Sequence, residues 1–226
     1  MRLTILSGTA NNALASAIAV ASGTVVRDGN VTRFPDGELG ISINESVRGD
    51  DVFLVQPASP PVNEHLMELL LLVDACRRDG AARITAVMPY VGYARQERRT
   101  GRSALGGRLM ADLLAAAGVD SVVAVDVHTP AIEGFFGAPV EHLSAVPLLA
   151  ERVRQALPRD SVIVAPDLGA AKLAERYARI LDLPVAFVHK RRITATEVAV
   201  HQVTGDVAGR APLIVDDMIS TGATIE

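Results

Sequence analysis

The sequence predicts an α/β protein of two doubly wound units with mainly parallel sheets. Three observations predict it. Short apolar runs alternate with longer amphipathic ones along the chain, the pattern of strand–helix–strand units with helices on both faces. Within the longer runs apolar residues recur at helical spacing, as at Leu66, Leu69, Leu70 and Val73. The 226 residues are 49% hydrophobic, enough for one large domain or two small ones with ordinary cores.

The elements follow in order. Leu3–Leu6 is an apolar strand, and the Ala-rich Asn12–Ala21 is a helix. Asp51–Gln56 is a strand of β-branched and aromatic residues. Asn63–Arg78 is a helix stopped by Gly80; Arg83–Met88 is a strand; Ala104–Ala117 is a helix stopped by Gly118. Ser121–Val127 is a strand, and Ala145–Ala156 is a helix ended by Leu157-Pro158. Strand Ser161–Ala165, helix Ala170–Leu181 and strands Val185–His189, Glu197–Val203 and Pro212–Val215 complete the pattern. The boundary is expected near Glu141–Ala145, giving domains over 1–143 and 144–226. The second domain is expected to be incomplete at its C-terminus. The chain stops at Glu226, where a loop should pass into a helix, and parallel sheets are normally covered on both faces.

Net charge is −4, which gives no reason to expect bulk attraction to nucleic acid or to anionic membranes. The longest apolar stretch, Leu66 to Ala75, contains Glu68 and Asp74 and is too short to span a bilayer. The N-terminus lacks the basic-then-apolar layout of a signal peptide. Cys76 is the single cysteine, so no intrachain disulfide forms. A cytoplasmic protein is expected. Arginine outnumbers lysine heavily, with lysine only at Lys172 and Lys190. A site that needs a compact point charge would explain such a lysine, as would chance.

The run Leu213 to Thr224 (LIVDDMISTGAT) carries the strongest chemical signal. An apolar strand delivers Asp216 and Asp217, then a small loop of Ser220, Thr221, Gly222, Ala223 and Thr224. Successive backbone N–H groups and hydroxyls in such a loop can hold a phosphate. The two acids suit sugar hydroxyls or a cation. Both halves together fit a sugar phosphate, whereas a lone Asp-Asp pair would be an ordinary polar strand end. Phe34 stands before a turn-prone Pro35-Asp36-Gly37-Glu38, where a ring and two acceptors could stack a purine and take its amino hydrogens; a plain hairpin turn reads equally well. Arg95, Gln96, Arg98 and Arg99 follow a Tyr/Gly-rich segment and offer guanidinium forks to a triphosphate, or form a solvated basic helix start. His128 and Asp167 lie at strand C-terminal ends, where open α/β sheets bind ligands. An imidazole with a carboxylate can hold a hard cation, and a strand-end histidine can equally be structural. Lys190, Arg191 and Arg192 crowd three cations that gain little without an anion; an exposed hairpin tip is the other reading.

The LIVDDMISTGAT run resembles the phosphoribosyl-binding motif of phosphoribosyltransferases and of ribose-phosphate diphosphokinases. The rest of the chain resembles the diphosphokinases. FPDGE at Phe34–Glu38, NEHLMEL at Asn63–Leu69, PYVGYARQ at Pro89–Gln96, Asp126-Val127-His128, IEGFF at Ile132–Phe136, Ala165-Pro166-Asp167 and Lys190-Arg191-Arg192 all match, in family order. The resemblance implies two phosphoribosyltransferase-like domains, an ATP site in the first and a ribose 5-phosphate site in the second. It implies transfer of the β,γ-diphosphoryl group of Mg-ATP to ribose 5-phosphate, with AMP as the other product. Phe34, Asp36, Glu38, Arg95, Gln96 and Arg98 would bind ATP, the first three across a subunit interface of a dimer or hexamer. Asp216, Asp217, Ser220, Thr221, Gly222, Ala223 and Thr224 would bind ribose 5-phosphate. His128 and Asp167 would hold Mg²⁺, and Lys190 and Arg192 would be the catalytic cations of a mobile loop. The chain departs from many relatives at Ala104-Leu105, where they carry an acid and a proline, and at Ser220, where many carry Asp. A phosphoribosyltransferase and a non-catalytic regulatory subunit are the alternatives. The first has no need of Phe34–Glu38 or Lys190–Arg192; the second should have lost the cations or the metal ligands that this chain keeps.

Overall fold

The computed structural model describes residues 1–192 and 198–218. The chain folds as two compact units, Met1–Leu143 and Ser144–Glu226.

The first unit is built on a seven-stranded sheet ordered β3-β2-β1-β4-β5-β6-β7. Its strands are β1 (Leu3–Ser7), β2 (Val26–Arg33), β3 (Leu39–Ile43), β4 (Asp51–Val55), β5 (Arg83–Met88), β6 (Ser121–Val125) and β7 (Val140–Leu143). All neighbours run parallel except β3, which returns antiparallel along β2. The helices are α1 (Asn12–Ala21), α2 (Val62–Asp79) and α3 (Gly106–Ala117), with a short 3₁₀ turn over Pro130–Phe135. Asn11 caps α1 by accepting the Leu14 N–H at 3.0 Å. Gly80 and Gly118 end α2 and α3 in the left-handed conformation that glycine adopts without a Cβ penalty. One face of α2 supplies Leu66, Leu69, Leu72, Val73 and Cys76 to a core shared with Leu54, Ile84, Met88 and Met110. On the other face of the sheet, Ala15 and Ala19 of α1 pack against Ile5 and Val55.

The second unit carries a four-stranded sheet ordered β10-β9-β8-β11. These strands are β8 (Ser161–Ala165), β9 (Val185–Arg192), β10 (Val198–Thr204) and β11 (Ala211–Ile214). β9 and β11 flank β8 in parallel, and β10 pairs antiparallel with β9. Every residue of β8 is buried, as expected of a central parallel strand. Helices α4 (Val146–Arg154) and α5 (Ala171–Leu181) cover it, with Ala150, Ala174, Ala178 and Leu181 in the core beside Ile163 and Ala165.

The mainly parallel α/β architecture is the one the alternation predicts. Three strands are absent from the sequence reading. β2 and β3 form a hairpin where the sequence suggests only a turn, and β7 is a short strand, VEHL, that closes the first unit at Leu143. β2 is polar, VRDGNVTR, so it lacks the apolar run that marks a strand; pairing with β1 and β3 makes it one. The strand expected over Ser121–Val127 stops at Val125, because Asp126 turns the chain at φ 40°. α3 begins at Gly106 rather than at Ala104. No described helix is long and apolar enough to cross a membrane.

Candidate functional site

A doubly wound sheet ordinarily opens at the carboxyl ends of the strands flanking its switch of direction. In the first unit that point lies between β1 and β4, and it is closed by the protein's own side chains. Gln56, fully buried, accepts the Ala10 N–H at 3.1 Å. Glu68, 3% exposed, accepts both the Thr9 N–H and the Thr9 hydroxyl at 2.6 Å. With these groups spent on the loop after β1, the exposed candidate side chains sit farther along the same edge.

β2, β5 and β6 all end on that edge. The tip of the β2–β3 hairpin is the Phe34–Glu38 segment. Its chain closes through Phe34 N–H to Glu38 O at 2.8 Å and Gly37 N–H to Phe34 O at 2.9 Å. Asp36 Oδ1 accepts the Glu38 N–H at 3.1 Å. Phe34 is 51% exposed, with its ring over Gly40 of β3, where a Cβ would lie 3.0 Å from it. Asp36 and Glu38 are exposed beside it. Between this hairpin and α2 lies a cavity of about 220 Å³ bordered by Thr9, Thr32, Arg33, Glu64 and Glu68.

The segment after β5 does not form the basic helix start that one reading of the sequence allows; it is a series of turns. Val91 and Ala94 are buried and hold it down, while Arg95, Gln96 and Arg98 are exposed. Tyr93 between them has φ 63°. Gln96 packs on the start of α3, where a Cβ on Gly106 would lie 2.5 Å from Gln96 Oε1. Arg98 pairs with its neighbour Glu97 at 3.3 Å. His128 is exposed in the turn after β6, three residues beyond the strand, rather than at the strand's end. β2 and β5 are three strand spacings apart in the sheet order, about 14 Å.

In the second unit, β8, β9 and β11 are parallel neighbours, so their carboxyl ends share one edge. Asp167 leaves β8 after Pro166, and its Oδ1 accepts the Ala170 N–H at 3.1 Å in the turn into α5. Asp216 and Asp217 leave β11 on the adjacent strand end, with the Asp217 N–H donating to Asp216 Oδ1 at 2.8 Å. Burial first, then the side chain of Asp217 by hydrogen bond and charge, and last the charge of Asp167, push the Asp216 carboxyl above its ordinary value, against the lowering effect of the Asp217 N–H. Crowded carboxylates of this kind favour whatever brings hydrogen-bond donors or positive charge. On the other side of β8, strand β9 continues well past the sheet. Ala165 pairs with Phe187, yet β9 runs on to Arg192 against β10, with Lys190 opposite Val200 and Arg192 opposite Val198. The backbone of Lys190–Arg192 is therefore strand, not the loop expected from sequence. Pairing with β10 extends the ribbon beyond the point where β8 ends. Ser220, Thr221, Gly222, Ala223 and Thr224 lie outside the described residues.

Some groups singled out in the sequence drop away. Lys172 is exposed on α5. Cys76 is fully buried and its thiol is pushed up to about 12 by burial, so it offers no nucleophile. Among the described residues no group of three or more His, Cys, Asp or Glu side chains could hold a metal by itself. Sequence reading also misses the partners of the exposed segments. Asn63 accepts the Tyr93 hydroxyl, and Arg33 pairs with Glu64. No sequence signal joins residues about thirty positions apart without coordinates.

Comparison with known proteins gives concordant results over the whole chain. The N-terminal domain of ribose phosphate pyrophosphokinase matches residues 3–118, and the phosphoribosyl transferase domain matches residues 145–226. A ribose-phosphate pyrophosphokinase of Gloeobacter violaceus is 47% identical across 99% of this chain and 68% of its own length. One from Staphylococcus aureus is 44% identical across 99% of this chain and 71% of its own. The crystal structure of phosphoribosylpyrophosphate synthetase from Mycobacterium smegmatis superposes with a TM-score of 0.89 at 40% identity. It covers 100% of this chain and 74% of that one.

Proposed function

This chain belongs to the ribose-phosphate pyrophosphokinase family, and from that premise we propose how its two strand edges serve the reaction. The enzyme transfers the β,γ-diphosphoryl group of ATP to the anomeric hydroxyl of ribose 5-phosphate, giving phosphoribosyl diphosphate and AMP. The observation that carries our assignment of roles is the shared edge of β8, β9 and β11. From it leave the acids Asp167, Asp216 and Asp217 and the cationic ribbon of Lys190 and Arg192.

Asp216 and Asp217 accept the ribose hydroxyls and orient the anomeric one, while the Ser220–Thr224 segment takes the 5-phosphate. The anomeric oxygen bonds to the β-phosphorus, the bond from that phosphorus to the oxygen of AMP breaks, and the hydroxyl proton is lost. No covalent enzyme intermediate is required. Positioning and neutralisation of phosphate charge supply most of the acceleration in such transfers. Lys190 and Arg192 carry that neutralisation from the protein side. Arg95, Gln96 and Arg98 bind the nucleotide, and Phe34 with Asp36 and Glu38 binds adenine.

The family's ATP-dependent reaction uses a divalent metal, and we take it to be Mg²⁺. Asp167 keeps one carboxylate oxygen beyond its bond to Ala170, and the neighbouring strand-end acids Asp216 and Asp217 add the oxygen donors that a hard cation takes. His128 and Asp167 would hold it, with phosphate and water completing the shell. Bound there, it neutralises phosphate charge. The exposed Phe34 loop fits use by a neighbouring copy, so we propose a homo-oligomer. The lone buried thiol fits a cytoplasmic protein.

AMP release from ATP, measured with and without ribose 5-phosphate and Mg²⁺, tests the assignment. The parent enzyme should require both, and Lys190→Ala should lose activity by roughly 100-fold or more. Equal rates from parent and variant would remove Lys190 from the catalytic role.

A further inference from the structure

The opening turn of α2 makes two bonds that the reaction scheme leaves unused. Asn63 Oδ1 accepts the Tyr93 hydroxyl. The next residue, Glu64, pairs with Arg33. Tyr93 stands two residues before Arg95, and Arg33 is the last residue of β2, next to Phe34. Adjacent residues on a helix point about 100° apart, so a single turn can hold chain on two sides. Here it holds the roots of both segments assigned to ATP.

The geometry of each bond has the character of a brace. Tyr93 adopts φ 63°, a left-handed conformation that a bulky aromatic rarely takes and keeps only where its surroundings over-determine it. Burial of Val91 and Ala94 and the 2.9 Å bond from Gln96 N–H to Tyr93 O constrain it from the backbone side. Asn63 constrains it from the hydroxyl. The turn so fixed leaves Arg95 exposed and seats Gln96 against the start of α3. Arg33 uses its guanidinium fork in two directions. Nη1 donates to Gly37 O at 3.3 Å, inside the Phe34–Glu38 loop, and Nη2 donates to Glu64. The Arg33 and Glu64 side chains are 51% and 48% exposed, and a pair so exposed adds little to fold stability. Its consequence lies in where it holds the loop.

We infer that Asn63 and Glu64 are positioning residues for ATP. Asn63 sets the Tyr93–Gln96 turn, and Glu64, through Arg33, ties the Phe34–Glu38 loop to the same helix. Neither touches the nucleotide. The brace operates whether the loop serves its own chain or a neighbouring copy. The inference rests on the reading that Phe34 and Arg95 contact ATP.

Steady-state kinetics and direct titration of ATP test it, with Asn63→Ala, Tyr93→Phe, Glu64→Gln, Glu64→Asp and Arg33→Met in the full protein. Asn63→Ala, Tyr93→Phe and Glu64→Gln should each raise KM and Kd for ATP roughly ten-fold, a modest displacement of binding groups. KM for ribose 5-phosphate and the melting temperature should stay at parental values. Glu64→Asp should recover most of the ATP affinity. The Arg33→Met, Glu64→Gln double variant should be no worse than either single one, since both remove the same tie. Phe34→Ala and Arg95→Ala serve as controls. If those controls leave ATP binding unchanged, the ATP assignment fails and the brace falls with it. If they weaken binding while the Asn63 and Glu64 variants do not, the brace alone is overturned. A parallel rise in both KM values, or a drop in melting temperature that tracks the loss, also overturns it by reducing the two residues to fold stabilisers.

Discussion

Asp50 precedes β4 and is only 5% exposed, yet it is a charged residue. It accepts Arg2 Nη2 at 2.6 Å, Arg2 Nε at 3.1 Å and the Thr4 hydroxyl at 2.8 Å. The Arg2 hydrogen bond, ahead of the opposing effect of burial, holds its carboxyl below the ordinary 3.8. A carboxyl lowered on folding stabilises the fold at pH values above its unfolded value and loses that contribution as pH falls through the lowered folded one. Asp50→Asn should therefore cost about 2 kcal/mol at neutral pH, the scale of hydrogen bonds to a charged group. The gap between variant and parent should close as the pH is taken below 3.8. Urea unfolding at several pH values measures both. Nothing in the sequence marks Asp50 out from Asp51 beside it; the distinction arises because Asp50 stands across from Arg2 and Thr4 once β1 and β4 pair. Phe34, Asp216 and Asp217 stand out in the sequence residue by residue because their chemistry is local: a ring on a turn, and two acids after an apolar strand. The Tyr93–Asn63 and Arg33–Glu64 bonds are not, because each joins separate elements.

Helix α2 is legible nearly end to end, since one apolar stripe and a terminal glycine are both written in its own residues. Its energetic weight is uneven around the axis. Leu72 is fully buried and packs so close to β2 that a Cβ on Gly29 would lie 3.1 Å from its Cδ2. Leu72→Ala should destabilise the protein by about 3 kcal/mol through lost burial and a residual cavity. Met67, 51% exposed on the same helix, should cost within about 0.5 kcal/mol when changed to Ala. Thermal unfolding of the two variants against the parent compares them directly. The β2–β3 hairpin is illegible for the opposite reason. β2 holds Asp28, Gly29 and Asn30, residues that strands usually avoid, and its strand character comes from pairing with β1 and β3 and from α2 packed over it. A plain hairpin turn and an adenine loop are alternative readings of Phe34–Glu38 on sequence. They are compatible in the fold: the hairpin is the scaffold that presents Phe34 to solvent.

In the molecule as a whole, each unit has its own sheet and its own core. The groups we assign to ATP leave the carboxyl edge of one sheet, and the acids and cationic ribbon we assign to ribose 5-phosphate and catalysis leave the carboxyl edge of the other. If Phe34 serves the site of a neighbouring copy, two defects on different chains should complement each other. Phe34→Ala and Arg95→Ala should each be weakly active alone. Mixed copies that exchange subunits should regain a substantial part of the parental rate, because some sites then combine an intact Phe34 with an intact Arg95. Activity that stays at the average of the two variants would place both residues in a site built from one chain.

The sequence alone determined the alternation of strand and helix, the mainly parallel α/β class, and the acidic strand end at Asp216-Asp217. All of these depend on periodicity or on neighbours within a few positions. Tertiary structure alone decided that Gln56 and Glu68 close the switch point of the first sheet, that Lys190 and Arg192 stand on a ribbon of paired strands, and that one turn of α2 braces two exposed segments. Those outcomes depend on which strands become neighbours and which polar groups each pairing leaves to be satisfied, and a linear pattern does not encode either until the chain has folded.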